Sequence, residues 1–321
     1  CYHCGVACDL GQMRTERKEF LTQLSALTPR LSGEAPTERE RAQERYRKGE
    51  PPRKFDRGDN QAYRIRYTKR GQVSLQGHLD LVRMIPRIYR RAGLDLVYTE
   101  GFHPKPLMQF SPALALGIKS VSECADLRLV KRVSPDEMLQ RLNGVSPDGL
   151  RFLAVEELNP EALKLSKAMN VQDFWFAAPS TIHSQEREAV EAELEKIVSR
   201  FMSKESEIVT RLRKGKDVPV DVRAGIAAMD WAHYPEFAES MELSSSYGVW
   251  VRLPFSSGTL TPRPIEICHA VFGDEIPFAD VVRIGLWHQN EDGDLIPLIQ
   301  KAQKPGDGEE PRYFSEPMAC R

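Results

Sequence analysis

No stretch of this 321-residue chain comes near eighteen consecutive apolar residues, so no helix is expected to cross a membrane. Cysteine is scarce, with six in the whole chain, too few for a disulfide framework. No signal peptide precedes them, so they read as reduced thiols of a cytoplasmic protein. Net charge is nearly absent: 45 Lys and Arg stand against 46 Asp and Glu, which leaves no global pull toward nucleic acid. Any such pull must come from a local patch. There is no Gly-rich phosphate loop, no nucleophile elbow and no HExxH pair, so the familiar signatures of nucleotide, acyl-transfer and zinc-peptidase chemistry are missing. The chain starts at Cys1 rather than Met, as a piece of a longer protein would.

What is there begins with half of the cysteines. Cys1, Cys4 and Cys8, with His3 among them, have the spacing C-x2-C-x3-C. That suits a zinc or iron–sulfur site lacking at least one ligand. The plainer reading is the end of an upstream domain whose thiols are unpaired here; both readings stay open. Phe20, Leu21, Leu24 and Leu27 have helical spacing, which predicts a short helix within a stub over residues 1–30. Residues 31–61 follow as a charged linker. Between Gly33 and Asn60 the large apolar residues are Tyr46 and Phe55 alone, too little to offset ordering entropy, so disorder is expected.

From Tyr63 the pattern becomes that of folded structure. Tyr63–Lys69 alternates apolar and basic residues like a half-buried strand. A helix begins near Gly77, with Asp80 suited to its positive end and Gly93 closing it. Pro86 lies inside it and should kink or split it. Strands are expected at 122–131 and 150–158, with a helix from Ser134 or Asp136 to Leu142 between them. The order βαββαβ over residues 62–160 is a ferredoxin-like unit. The same order recurs over 170–300: a strand at 171–179, a helix at 185–202, a hairpin of 207–214 and 218–223 turning at Gly215, an insertion with Trp231 and Tyr234, a strand at 247–255, a helix at 264–273 and a strand at 278–289. The expected fold class is α+β, two tandem ferredoxin-like domains, ending in a flexible tail at 301–321.

The candidate functional residues cluster in the first domain. From Arg57 to Lys105 there are ten Lys and Arg against four Asp and Glu, on one strand and one helix. Arg83, Arg87, Arg90 and Arg91 share a helix face, and a guanidinium fork pairs bidentately with phosphate. The loop Gly101–Pro106 sets Phe102, His103 and Lys105 between prolines that restrict the backbone, so Phe102 could stack on an unpaired base while Lys105 meets a phosphate. The competing readings are a solvated helix face and an ordinary exposed turn. Arg211, Arg213, Lys214 and Lys216 form a second basic cluster at the hairpin tip, with Arg223 on the strand beyond. His78 and His103, with Tyr98 or Tyr89 nearby, are candidates for metal-free acid–base cleavage of RNA.

Several segments resemble the radical SAM-linked domain family of the DUF2344 type. They are HLDLVR (His78–Arg83), RRAGLDL (Arg90–Leu96), YTEGFHPKP (Tyr98–Pro106) and ALALGIKSVSECADLRL (Ala113–Leu129). The resemblance continues through KGKDVPVDVR (Lys214–Arg223) and from SSGTLTPRPI to AVFG (Ser256–Gly273). The chain departs from the pattern at Pro86, where a helix former is expected, and at Gly77, where Ser is usual. The resemblance implies the C-terminal portion of a B12-binding and radical SAM fusion protein, with SAM, a 4Fe–4S cluster and cobalamin held only in the upstream half. The tandem plan is also similar to that of the CRISPR RAMP endoribonucleases, a likeness of fold alone. The expected function is therefore an RNA-binding module that presents transfer or ribosomal RNA to a radical SAM domain, fused or in trans. The alternatives are a metal-independent endoribonuclease of RAMP type and a module that docks a protein substrate.

Overall fold

The computed structural model describes residues 57–100, 102–182, 186–255, 260–273, 277, 280–299 and 317–318, together with 15, 18–20 and 22. Contacts divide the chain into Cys1–Pro52 and Arg53–Arg321. In the first unit the described residues are helical and exposed, and the Thr22 hydroxyl donates to the Lys18 carbonyl at 2.8 Å. Cys1, Cys4 and Cys8, Leu21, Leu24 and Leu27, and the expected linker up to residue 56 lie outside the described residues.

The second unit begins with β1 (Gln61–Lys69), α1 (His78–Arg91), β2 (Met108–Phe110), β3 (Lys119–Leu129), α2 (Pro135–Asn143) and β4 (Phe152–Glu157). It continues through α3 (Leu165–Ala168), β5 (Val171–Ala177), α4 (Arg187–Met202), β6 (Ile208–Arg213), β7 (Lys216–Asp221) and β8 (Ala228–His233). The last elements are α5 (Pro235–Ser240), β9 (Tyr247–Pro254), α6 (Pro264–Phe272), β10 (Val281–Gln289) and β11 (Leu295–Pro297). Among the described residues nine strands form one sheet in the order β4-β1-β3-β10-β5-β9-β8, with β2 added on β3 and β11 on β10. Within each half the neighbours are antiparallel: β4-β1-β3-β2 in one, β10-β5-β9-β8 in the other. The halves join where β3 and β10 run parallel, Val282 beside Lys119 and Arg283 beside Ser120. The result is a mixed α+β fold in which both halves share a sheet.

The helices form where the apolar stripes are. Leu81, Ile85, Ile88 and Tyr89 of α1 pack on Tyr63, Ile65, Ala125 and Leu127 of the sheet, joined by Met138 and Leu142 of α2. Val190, Leu194, Ile197 and Phe201 of α4 and Ile267 and Val271 of α6 cover Phe174, Phe176, Val249 and Val251 in the other half. The start of α1 is fixed by the Gly77 N–H donating to the Asp80 carboxylate at 3.1 Å, and Gly93 turns the chain away with φ 69°. Arg90 and Arg91 sit in its last turn, at the negative end of the helix dipole.

Pro86 does not split α1, which runs through it as one element. The missing N–H leaves the Val82 carbonyl without its usual donor at a half-exposed position that water can serve. Pro86→Ala should therefore stabilise the chain by about 1–2 kcal/mol, read as a higher urea midpoint at unchanged slope.

Two expectations need correction. The pair 207–214 and 218–223 is not the second strand of the second half; β6 and β7 form a separate two-stranded sheet. The sheet strand is β8, in the segment expected to be an insertion. Met229 and Trp231 of β8 pack into one core and Ala232 into another, whereas Ile208 and Leu212 of β6 are 64% and 70% exposed. A strand buried on both faces wins the place in the sheet, at its edge beside β9. β1 is likewise buried on both faces rather than half-buried. The second face of the sheet is covered by Phe237 of α5 over Trp175 and Trp250, and by Leu165 and Ala168 of α3 with Leu298 over Cys124 and Leu286. Within the tail expected to be flexible, Met318 packs on this face and its carbonyl accepts from Arg252 at 2.9 Å.

Candidate nucleic-acid interface

Arg83, Arg87, Arg90 and Arg91 are all exposed on α1, opposite its buried stripe. At 1.5 Å per residue they span about 12 Å of helix. Among the described residues none of the four forms an ion pair, so the row is available to an external anion.

The loop beyond α1 is a hairpin extruded from a sheet edge. Leu96 bridges Leu129 and the Val97 N–H donates to the Arg128 carbonyl at 2.9 Å, while Met108–Phe110 pairs with Leu127–Ala125. Both segments therefore belong to one edge, interrupted by residues 98–107. These fold back on themselves: the Leu107 N–H donates to the Val97 carbonyl at 2.7 Å, the Thr99 N–H to the Lys105 carbonyl at 2.8 Å, and the Lys105 N–H to the Thr99 hydroxyl at 3.0 Å. Phe102 is 55% exposed at the tip, and His103, Pro104 and Lys105 are exposed with it. Gly101 lies outside the described residues. The hairpin root follows the end of α1 that carries Arg90 and Arg91, with the Leu94 N–H bonded to the Tyr89 carbonyl at 2.9 Å.

The two acid–base candidates lie on different elements. His78 sits at the opposite end of α1, half-buried, edge-on to Phe110 at 6.0 Å. Among the described residues no hydrogen bond or ring contact joins it to His103. Tyr89 is fully buried, and desolvation pushes its phenol well above the usual range, so it cannot exchange protons with a substrate.

One of the strand cations that enlarged the local basic excess, Arg64, is also spoken for. Arg64 is 5% exposed and grips Asp126 through two bonds of 2.7 and 3.0 Å, with the Leu163 carbonyl as a further acceptor. In the second cluster, Arg211 is 8% exposed and bound bidentately to Glu266, and Arg223 donates to the Met202 and Ile226 carbonyls. Arg211 is shielded from an external anion, while Arg223 is half-buried beside its carbonyl partners. Arg213, Lys214 and Lys216 remain exposed at the tip.

Sequence reasoning missed a buried ionic group at the junction of the halves. Arg283 (2% exposed) bonds Glu123 (4%) at 2.9 Å, and the Ser111 hydroxyl donates to the same carboxylate at 2.9 Å. Lys69, fully buried, reaches only the Ala115 carbonyl among the described residues, at 3.5 Å, and burial lowers its pKa. Only the spatial meeting of β1, β3 and β10, the first and last of them more than 200 residues apart in sequence, could have revealed it. Because the unfolded chain holds the Lys69 proton to higher pH, stability should rise as pH climbs through the lowered folded value toward the ordinary lysine value. Lys69→Met should reduce that rise and leave the neutral-pH stability equal or higher, measured by urea melts across the range.

Among the described residues no group of three or more His, Cys, Asp or Glu could hold a metal. Cys124 and Cys268 are buried, and desolvation pushes both thiols up to about 12, so they are unreactive at neutral pH. Among the described residues no helix is long and apolar enough to cross a membrane.

No curated protein matches the chain. Among solved structures, the crystal structure of an unknown protein from Galdieria sulphuraria aligns over 61% of this chain and 84% of that one, at 9% identity. Its TM-score of 0.20 carries no weight for fold or function. The model of the family described as "Uncharacterized protein conserved in bacteria (DUF2344)" matches residues 62–252, a span that takes in α1, the extruded hairpin and the β6–β7 ribbon. That match covers more than half of the sequence, and the chain belongs to the DUF2344 family.

Proposed function

We propose that this chain is an RNA-binding module that presents a transfer or ribosomal RNA to a radical SAM enzyme, fused to it or acting in trans. The observation that carries the proposal is the row of exposed arginines on α1, unpaired among the described residues, which runs into the root of a proline-restricted hairpin bearing Phe102, His103 and Lys105. Arginine forks suit phosphate, and an exposed aromatic beside a lysine suits an unpaired base with its phosphate. SAM, a 4Fe–4S cluster and cobalamin would belong to the enzyme half, and the cysteines Cys1, Cys4 and Cys8 to its boundary.

We further read the antiparallel groups β4-β1-β3-β2 and β10-β5-β9-β8 as two ferredoxin-like units. Each has the strand order 4-1-3-2 once the β6–β7 ribbon is treated as an insertion in the second. On that reading the plan is similar to that of RAMP endoribonucleases, which favours RNA as the ligand and says nothing of cleavage. The half-buried place of His78 against Phe110, at the opposite end of α1 from the hairpin root, weighs against the ribonuclease alternative.

Ultraviolet crosslinking of the intact protein in cells, followed by sequencing of the attached RNA, tests the proposal. Enriched transfer or ribosomal RNA with crosslinks on residues 83–105 is the expected outcome. Recovery of no RNA above an uncrosslinked control would remove it.

A further inference from the structure

The β6–β7 ribbon pairs with no other strand among the described residues. In its antiparallel register Arg211 faces Val218 on one side of the ribbon, and Leu212 faces Asp217 on the other. The inner side is anchored: Arg211 bonds the Glu266 carboxylate of α6 at 2.5 and 2.6 Å and the Thr261 carbonyl at 2.9 Å. The foot is fixed as well, because the Asp221 carboxylate accepts from the Glu207 and Ala224 N–H groups and the Ser206 hydroxyl. The outer side is open, with Leu212 70% and Ile208 64% exposed.

The tip carries features that disfavour the free state. Arg213 and Lys216 are directly opposite on the last rung, on the same side as Arg211 but beyond its anchor, a like-charge pair, and Lys214 sits between them in sequence at φ 51° beside Gly215 at φ 75°. A lysine in the left-handed region is strained where asparagine or glycine would not be. Three exposed cations there face one nearby acid, Asp217.

We propose that this ribbon is a pre-set arm that binds an unpaired stretch of RNA, an inference that rests on the RNA-binding reading above. Phosphates relieve the repulsion between Arg213, Lys214 and Lys216. Leu212 and Ile208, on the side of the ribbon opposite Arg213 and Lys216, gain burial against base faces where an unpaired strand wraps over the tip. A paired A-form duplex hides those faces, and its narrow major groove excludes side chains. Arg211 is a positioning residue: it touches Glu266 and holds the arm at a fixed angle to α6.

The test uses the 321-residue chain and two fluorescent probes, a short unstructured oligoribonucleotide and a blunt RNA duplex of the same length, over a salt series. The variant Arg213→Ala/Lys214→Asn/Lys216→Ala should bind the single strand at least ~10-fold more weakly, with a salt slope shallower by about two. Its duplex binding should change much less, and its melting temperature should be unchanged or higher. Leu212→Ser should weaken single-strand binding without altering the slope. Wild-type affinity in the triple variant, where an Arg83/Arg87/Arg90/Arg91→Ala variant loses binding, would overturn the arm alone. Equal losses on both probes would overturn its preference for unpaired RNA. A wild-type chain that binds neither probe removes the RNA reading, and the arm with it.

Discussion

Arg283→Met should destabilise the fold by about 3 kcal/mol or more, because it breaks a buried ion pair by removing one partner. Arg283 is 2% exposed and holds Glu123 at 2.9 Å across the line where β3 and β10 join the halves. Removing the guanidinium leaves a buried carboxylate with the Ser111 hydroxyl and the poorly placed Lys69 as company. Arg283 also donates to the Pro112 carbonyl, so the loop between β2 and β3 loses an anchor. Urea unfolding measures the effect. The double variant Arg283→Met/Glu123→Leu should regain part of the loss, because both charges leave together. A single variant as stable as wild type would mean that the junction is held by the apolar cores alone.

The second large effect is functional. Replacing Arg83, Arg87, Arg90 and Arg91 by Ala should lower RNA affinity by at least about 100-fold near physiological salt and make the salt slope shallower by about three. All four side chains are exposed and Ala is the best helix former, so stability should barely change. Thermal melting and anisotropy titrations on the same preparations separate the two readouts. Loss of binding with loss of the folded state would not count in favour of the interface.

What the sequence made legible follows from how local each signal is. α1, α2, α4 and α6 carry their own apolar periodicity and cap residues such as Ser134, whose hydroxyl accepts from the Glu137 N–H at 3.3 Å, so their placement could be read directly. The ribbon misled for a physical reason. Its alternation and Gly215 turn are stronger local strand signals than those of Ala228–His233, yet a sheet position is decided by burial on both faces, which is not local. The arginine row of α1 was legible because a helix face is fixed by spacing alone. The fates of Arg64, Arg211 and Lys69 were not. Asp126, Glu266 and Glu123, which occupy or surround them, come from strands and helices 54 or more residues away. Charge counted along a chain cannot distinguish a guanidinium facing water from one facing a carboxylate. The extruded hairpin lay between: its prolines announced a constrained loop, and its origin in a single interrupted edge strand appeared only with the pairing of Leu96 and Met108 to β3.

The most direct test of the central claim is the affinity of the unaltered chain for transfer RNA across a salt series. An interface built on four arginines predicts that log affinity falls linearly with log salt, with a slope of about −3 or steeper. Absence of binding, or binding indifferent to salt, would contradict it.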